Sequence, residues 1–412
     1  MWLEFLSCRL LVEVVSFLMS RNISIGIDIG SYQIKVVAAE TVTEDKKELP
    51  KVVGVGYAES KGLRHGYILS EGDAVKSVRS AVTQAEKAAG FSIKRAIASV
   101  GGIGLGSVTS VGSIITSRAD LEITALDIQK AVEASQQDIP AAQSTNRKII
   151  HTIPIQYKVD GKLVLGKPEG LKGSKLEVKT LFITCFEHHL NDLLEVIQEA
   201  GVEVEDIVAS PIAASLVTLS KSQKMAGCVL ANIGSETVSI VVFENNLPIS
   251  LEVFPIGSND ITNDIALGLR IPLEEAEEIK RGSIVGGNYP RRKLEEIIEA
   301  RLSDIFELIE AHLKKIGRSG LLPAGIILTG GGSGIETIDD LAKAALRLPS
   351  RKALVSFGDN LKGQIRDASW SVAYGLCILG LNDSDEEQNL SGLRLVKKTK
   401  NDIMGWFRQF LP

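Results

Sequence analysis

Cysteine is scarce in this 412-residue chain: there are four, Cys8, Cys185, Cys228 and Cys377, far apart in sequence, and three of them sit inside apolar runs. That spacing excludes a disulfide framework and a Cys-rich zinc site, and it points to reduced, buried thiols. Histidine is equally sparse, and of the five only His188 and His189 adjoin. Consecutive residues face different sides of any regular element, so the pair does not read as a metal site. Charge of one sign is also lacking. Lys and Arg number 46 against 51 Asp and Glu, a net charge of -5, which leaves no global field to draw the protein onto nucleic acid. A bilayer-spanning run is missing too: residues 1–18 are apolar but are interrupted by Glu4, Arg9 and Glu13. They show neither the positive start nor the small-residue cleavage site of a signal peptide. Met19-Ser20-Arg21 makes an ordinary start, so residues 1–19 are expected to be a non-native or misassigned extension, the alternative being a second amphipathic segment.

What is present is an ordinary globular composition, 44% hydrophobic and 24% charged, in a chain too long for one core. Two lobes are expected. Ile23 to Asp28 and Gln33 to Ala38 read as two β-runs about the turn Ile29-Gly30-Ser31-Tyr32. Cys228 to Asn232 and Val238 to Phe243 repeat the scheme about Ile233-Gly234-Ser235-Glu236. A small polar residue followed by Ile-Gly-Ser opens both turns, which implies an ancient duplication with one hairpin per lobe. Helices are predicted over Ser70 to Ala89, Glu187 to Ala200 and Lys293 to Ile316, stopped by Gly90, Gly201 and Gly317. The alternation of strands and helices predicts an α/β fold in each lobe. From 96 to 175 short strand-like runs and many glycines suggest an inserted α+β module, with His151 to Val159 as a strand.

Two turns, each with a glycine that admits close approach and a hydroxyl that can donate, would grip a polyphosphate from opposite sides. The residues concerned are Gly30, Ser31 and Tyr32 in the first turn and Gly234, Ser235 and Thr237 in the second. Asp28, at the end of the first run, stands where Mg²⁺ and its waters need an oxygen ligand, and Lys35 would neutralise phosphate charge. A third element, Ile326 to Thr329 running into Gly330-Gly331-Gly332-Ser333, offers bare backbone to a base or sugar ahead of a helix N-terminus.

This order of motifs is that of the superfamily of actin, heat-shock chaperone ATPases and sugar kinases, and within it the chain closely resembles the FtsA family. The resemblance runs from about Ser20 onward. It is carried by Gly26-Ile27-Asp28-Ile29-Gly30-Ser31, Gly62-Leu63-Arg64-His65-Gly66, His151-Thr152-Ile153-Pro154, Ser210-Pro211-Ile212-Ala213-Ala214-Ser215 and the stretch Val253 to Ala266. It implies a two-lobed actin-like (ribonuclease-H-like) fold with an inserted SHS2-type α+β subdomain. Lobe 1 would comprise 20–95 and 176–215, the insert 96–175, and lobe 2 216–380, with a smaller part at about 258–323. It further implies that ATP and Mg²⁺ are bound, with Glu277 and Lys280 touching ribose and base, although an exposed ion pair one helical turn apart is the plainer reading of those two. Ala373-Tyr374-Gly375-Leu376 resembles the second connection about which the lobes hinge. The implied partners are FtsZ, the protein itself in filaments, anionic membrane lipids and other divisome proteins, on the cytoplasmic side of the membrane at the septum. Two departures stand out. Asn232-Ile233-Gly234-Ser235-Glu236-Thr237 replaces the usual Asp-Ile-Gly-Gly-Gly-Thr, so rapid hydrolysis is not expected and Glu236 would add negative charge beside the phosphates. The stretch 282–323, where FtsZ docks in relatives, is also shorter. Rival readings are a PilM-like pilus-assembly adaptor, or a small-molecule kinase or chaperone-type ATPase, for which no substrate pocket or substrate domain is evident.

The C-terminal residues complete the pattern. An acidic, aromatic-free stretch within 381–395 reads as a flexible tether. In 396–412, Ile403, Phe407 and Phe410 or Leu411 recur at helical intervals, Met404 widens the face, Trp406 lies at its margin and Arg408 adds a cation to those of Lys397, Lys398 and Lys400. Such a helix suits an anionic membrane surface; packing on the protein's own core is the alternative, and the tether favours the membrane.

Overall fold

The computed structural model describes residues 22–44, 47–282, 289–355 and 367–390. The N-terminal extension and the proposed membrane helix, including Ile403, Met404, Trp406, Phe407, Arg408, Phe410 and Leu411, lie outside the described residues. Among the described residues no helix is long and apolar enough to cross a membrane.

Each lobe is built on one five-stranded sheet. In lobe 1, β1 (Ile23–Ile29), β2 (Gln33–Glu44) and β3 (Lys47–Glu59) form an antiparallel meander. After the two-residue strands β4 (Leu63–Arg64) and β5 (Tyr67–Ile68) and helix α1 (Glu71–Ala89), the chain adds β6 (Arg95–Val100) parallel to β1. The nearly continuous apolar texture of β1 and β2 follows from burial on both faces: Ile27, Ile34, Val36 and Val37 are fully buried. Each such side chain contributes about 1.5–3 kcal/mol relative to exposure. α1 covers one face with Ala74, Val75, Val78 and Val82 and ends at Gly90, whose left-handed backbone (φ 80°) donates to the Glu86 carbonyl.

The inserted module comprises β7 (Leu105–Ile115), α2 (Ala125–Gln137), the single turn α3 (Ala141–Ser144), β8 (Arg147–Val159), β9 (Lys162–Val164) and β10 (Lys175–Phe186). Its strands are ordered β7-β10-β8-β9, and α2 packs on one face. Its limits differ from those expected. β6 belongs to the lobe 1 sheet, and β10 pairs with β7 as far as Cys185, so the module begins after residue 100 and extends to residue 186. Helix α4 (Glu187–Glu199) then leads to β11 (Glu203–Ala209), which completes the lobe 1 order β11-β6-β1-β2-β3.

Helix α5 (Ser210–Thr218) and the short α6 (Lys221–Ala226) carry the chain into lobe 2, where β12 (Cys228–Ile233), β13 (Val238–Glu244) and β14 (Leu247–Phe254) repeat the meander. Helices α7 (Ser258–Leu269), α8 (Leu273–Lys280) and α9 (Arg291–Lys315) precede β15 (Ile326–Thr329), parallel to β12. α10 (Ile338–Leu346) and β16 (Ser350–Lys352) give the order β14-β13-β12-β15-β16, the same as in lobe 1. The duplication inferred from two short turns thus extends to whole sheets.

α11 (Ser371–Leu390) returns beneath lobe 1 and crosses α5 in the core shared by the two sheets. The crossing is so close that a Cβ on Gly375 would lie 1.9 Å from the Ala213 carbonyl oxygen. The backbone of α11 runs on to Leu390, past Leu381 where a tether was expected to start. No Gly or Pro falls between 381 and 390, and Glu and Gln are good helix formers, so nothing local terminates the helix. The rest of the tether lies outside the described residues.

Candidate nucleotide cleft between the lobes

The polar ends of the two central hairpins face each other across a cleft of about 950 Å³. Because β1 and β12 occupy the same place in equivalent sheets, their terminal residues arrive from opposite sides. Asp28 and Asn232 line the cleft together with Gly30, Ser31, Tyr32, Lys35, Gly234, Ser235, Thr237, Glu277, Lys280, Gly330, Gly331 and Gly332.

At the lobe 1 side Asp28 pairs across the hairpin with Lys35, and Asp28 Oδ1 accepts a 2.8 Å bond from Ser99 Oγ on β6. Burial pushes the Asp28 carboxyl above the usual carboxylate range, against the opposing pull of Lys35 and Ser99. Burial likewise lowers the Lys35 ammonium, while Asp28 and Asp367 hold its charge. Lys35 also sits 5.9 Å from the Trp370 ring centroid. No group of three or more acidic, His or Cys side chains suited to a metal occurs among the described residues. One carboxylate beside polyphosphate oxygens fits Mg²⁺, which keeps most of its waters and takes few protein ligands, so Asp28 would hold it.

The lobe 2 side has the same backbone and no carboxylate at the equivalent position. Asn232 pairs with Ser239 across the hairpin and with Thr329 on β15. Gly330 is obligatory beside it: φ is +86°, and a Cβ there would come within 2.3 Å of Asn232 Oδ1. Ser333, expected in the site, is buried under the glycine turn, and its hydroxyl donates to the Gly330 carbonyl at 2.7 Å. The reach of that motif is therefore its three glycines.

Glu277 and Lys280 are not an isolated surface pair. The Lys280 side chain is 8% exposed, and its ammonium donates to Glu277 Oε2 (2.5 Å), Thr262 Oγ1 (2.8 Å) and the Ser258 carbonyl (3.1 Å). Thr262 donates to the same carboxylate at 2.6 Å. Burial raises the Glu277 carboxyl, but these donors outweigh it and hold the group low. A fixed ion pair on the wall of the cleft can present one charge of each sign to a polar ligand. Arg281, the next residue, binds Glu277 Oε1 at 2.7 Å and reaches over the cleft to the Tyr32 hydroxyl at 3.2 Å.

Glu236 departs from expectation. It is not among the residues that line the cleft: its carboxylate accepts the His65 backbone N–H at 2.5 Å, while His65 Nδ1–H donates to the Glu236 carbonyl at 3.1 Å. The physical reason is the Gly62–Gly66 loop, whose His65 N–H is a donor within reach of the carboxylate.

Ser99, Ser239, Arg281 and Asp367 also line the cleft and were not anticipated. Arg281 carried a signal, standing four residues after Glu277 on a helical face. Ser99 stands just before Gly101-Gly102 at a strand end, and Asp367 had no local signal.

Comparison with known proteins agrees with this architecture. A family model described as cell division protein FtsA matches residues 229–375, and one described as the SHS2 domain inserted in FtsA matches 102–184. The cell division protein FtsA of Pseudomonas aeruginosa is 30% identical over 394 residues, covering 90% of this chain and 92% of its own length. That of Bacillus subtilis is 30% identical over 406 residues, covering 93% and 89%. Among solved structures, a PilM–PilN type IV pilus biogenesis complex superposes with a TM-score of 0.63 at 16% identity, over 87% of this chain and 98% of that one, a likeness of fold. The fold is thus the two-lobed actin type with an SHS2 insertion, and the chain belongs to the FtsA family of cell division proteins.

Proposed function

We propose that the protein binds ATP with Mg²⁺ in the interlobe cleft, assembles with its own copies on the cytoplasmic face of the cell membrane at the division septum, and tethers FtsZ filaments there. The observation that carries this reading is the cleft itself, where separated stretches of chain bring two hydroxyl-bearing glycine turns, Asp28, Lys35, the Glu277–Lys280 pair and a third glycine turn around a single space. Ser31 is suited to anion binding, because its oxygen already accepts the Gly66 N–H at 3.0 Å and its proton remains to be donated. Asn232 cannot take a proton from water as a carboxylate can, so hydrolysis is at most weak and the bound triphosphate persists.

The tail supplies the membrane contact. A short surface helix buries its apolar residues only in part, so one copy binds weakly and reversibly. Linked copies in a filament turn weak sites into firm attachment through effective concentration. Nucleotide state would govern assembly, and assembly would govern membrane residence, with other divisome proteins recruited afterwards.

Sedimentation with anionic liposomes, with and without ATP and FtsZ, tests this. Deleting residues 400–412 should leave the protein in the supernatant while calorimetry still detects MgATP binding; undiminished liposome binding by the truncated chain would refute the tail's role. FtsZ pelleting with the full-length protein separates this function from that of a pilus-assembly adaptor.

A further inference from the structure

The two phosphate-facing turns belong to different lobes, yet they are joined by a short chain of hydrogen bonds that does not pass through any ligand. Ser31 in the first turn accepts the Gly66 N–H at 3.0 Å. The adjoining His65 gives its backbone N–H to Glu236 Oε2 at 2.5 Å and its ring proton to the Glu236 carbonyl at 3.1 Å, and Glu236 is part of the second turn. His65 holds a left-handed backbone (φ 49°), which aims its N–H outward from the loop.

The loop that carries His65 cannot follow lobe 2. Ile103 N–H donates to the His65 carbonyl at 3.2 Å, and a Cβ on Gly66 would lie 2.4 Å from the Gly102 Cα, so the loop is seated on the backbone just beyond the end of β6, where the insert begins, and not on lobe 2. Any widening of the cleft about the α5–α11 crossing must therefore separate His65 from Glu236. The contact of Arg281 with Tyr32, which also joins the lobes, is a looser one: the Arg281 side chain is 52% exposed and Tyr32 49%. A charge-assisted bond to a half-buried carboxylate is stronger than a solvated one.

We propose that Glu236 and His65 are positioning residues of the nucleotide cleft: their contact fixes the spacing of the two phosphate turns and must break before a bound nucleoside triphosphate can leave. This rests on the reading of the cleft as a nucleotide site. Glu236 then acts on retention of the ligand without touching it, and its presence at the fourth position of the turn slows exchange.

The test is release of a fluorescent N-methylanthraniloyl-ATP, with Mg²⁺, from full-length protein chased by excess ATP, together with hydrogen exchange of the nucleotide-free protein. Glu236→Ala should release the analogue about tenfold faster, with association also accelerated because the same contact closes the empty cleft, while Glu236→Gln, which keeps an oxygen acceptor, should stay within about threefold of the parent in release. Without nucleotide, Glu236→Ala should speed amide exchange at His65. Equal release rates for the parent and Glu236→Ala would overturn the proposal, as would faster release from Glu236→Gln matching that from Glu236→Ala. If the parent does not bind the analogue, the nucleotide reading fails; faster exchange at His65 would then still establish the interlobe bond, and unchanged exchange would remove both.

Discussion

Lobe 1 and lobe 2 present the same five-stranded order to the cleft, and they differ most at the one position where chemistry is expected. The last residue but one of β1 is Asp28, supported by Ser99 and paired with Lys35; that of β12 is Asn232, paired with Ser239. Backbone architecture has been kept in both halves while charge has been kept in one. A duplicated frame needs only matched hydrophobic patterns and matched turns, whereas charge answers to the ligand alone. At the ends of the hairpins, one side of the cleft thus offers a carboxylate and an ammonium, and the other an amide and a hydroxyl.

The comparison breaks most severely where the two lobes are joined. The helices that leave the two sheets, α5 and α11, cross with Gly375 against the Ala213 carbonyl, so Gly375→Val must drive them apart. Overpacking of this kind costs about 1–3 kcal/mol and occasionally more. With the clash on backbone atoms, the upper end of about 3 kcal/mol is expected, read as a lowered denaturant midpoint, together with loss of MgATP binding. A variant as stable as the parent would show that the crossing adjusts freely.

Making the hairpins alike in the other direction should cost affinity. Asp28→Asn leaves both lobes with an amide, and loss of a metal-supporting carboxylate typically lowers metal-dependent affinity by about 10–100-fold. Calorimetry with ATP should show that loss with Mg²⁺ present and little change with Mg²⁺ chelated. A similar loss in both conditions would mean that Asp28 serves the fold through Ser99 and not the metal.

Most of this frame is legible in the sequence, and the reasons it is not all legible are physical. The paired Ile-Gly-Ser turns expose the duplication because the same short motif closes the equivalent hairpin in each sheet. Gly90 marks the end of α1 because a left-handed residue is needed there. The insert's limits are harder to read. β6 is followed at once by the glycines of 101–106, so a lobe strand takes on the texture of the module, and β10 buries its second half against lobe 1 while pairing with β7 almost throughout. Asp367 and Ser99 reach the cleft only through tertiary packing, which leaves no periodic trace. Glu236 misleads for a different reason: its position in the turn is plain, but its direction is set by a partner loop 171 residues away in the chain.

The insert itself has no counterpart in lobe 2, and one buried histidine measures what it adds. His151 Nε2 on β8 accepts the Ala209 N–H at 3.0 Å, where α5 leaves lobe 1, so the ring is neutral with its proton on Nδ1. Burial lowers its pKa from 6.5 to about 3. The unfolded chain therefore takes up a proton first, and stability falls as pH drops below about 6.5 and continues to fall to about 3, by about 2 kcal/mol at pH 5. His151→Gln retains an acceptor that does not titrate, and should flatten the difference between urea midpoints at pH 8 and pH 5 by that amount. An unaltered difference would place the acid sensitivity elsewhere, for instance at His312, whose pKa burial lowers to about 4.

The smallest effect should come from restoring symmetry. Asn232→Asp places a carboxylate on β12 opposite Asp28, next to Gly330, whose left-handed backbone already leaves room for the side-chain oxygen. A positioned general base contributes about 10²–10⁴-fold in favourable cases. Here the new carboxylate would stand in a cleft whose other groups are arranged around an amide, and like charge from Asp28 would raise its pKa and weaken its ionised form. The expected gain is therefore only about tenfold in phosphate release, well below that range, with ATP affinity reduced because a second negative charge faces the phosphates. If turnover rises a hundredfold or more, the amide alone had been holding hydrolysis back. If it does not rise at all, the attacking water has no place in this cleft, and the lobes differ in more than one atom's charge.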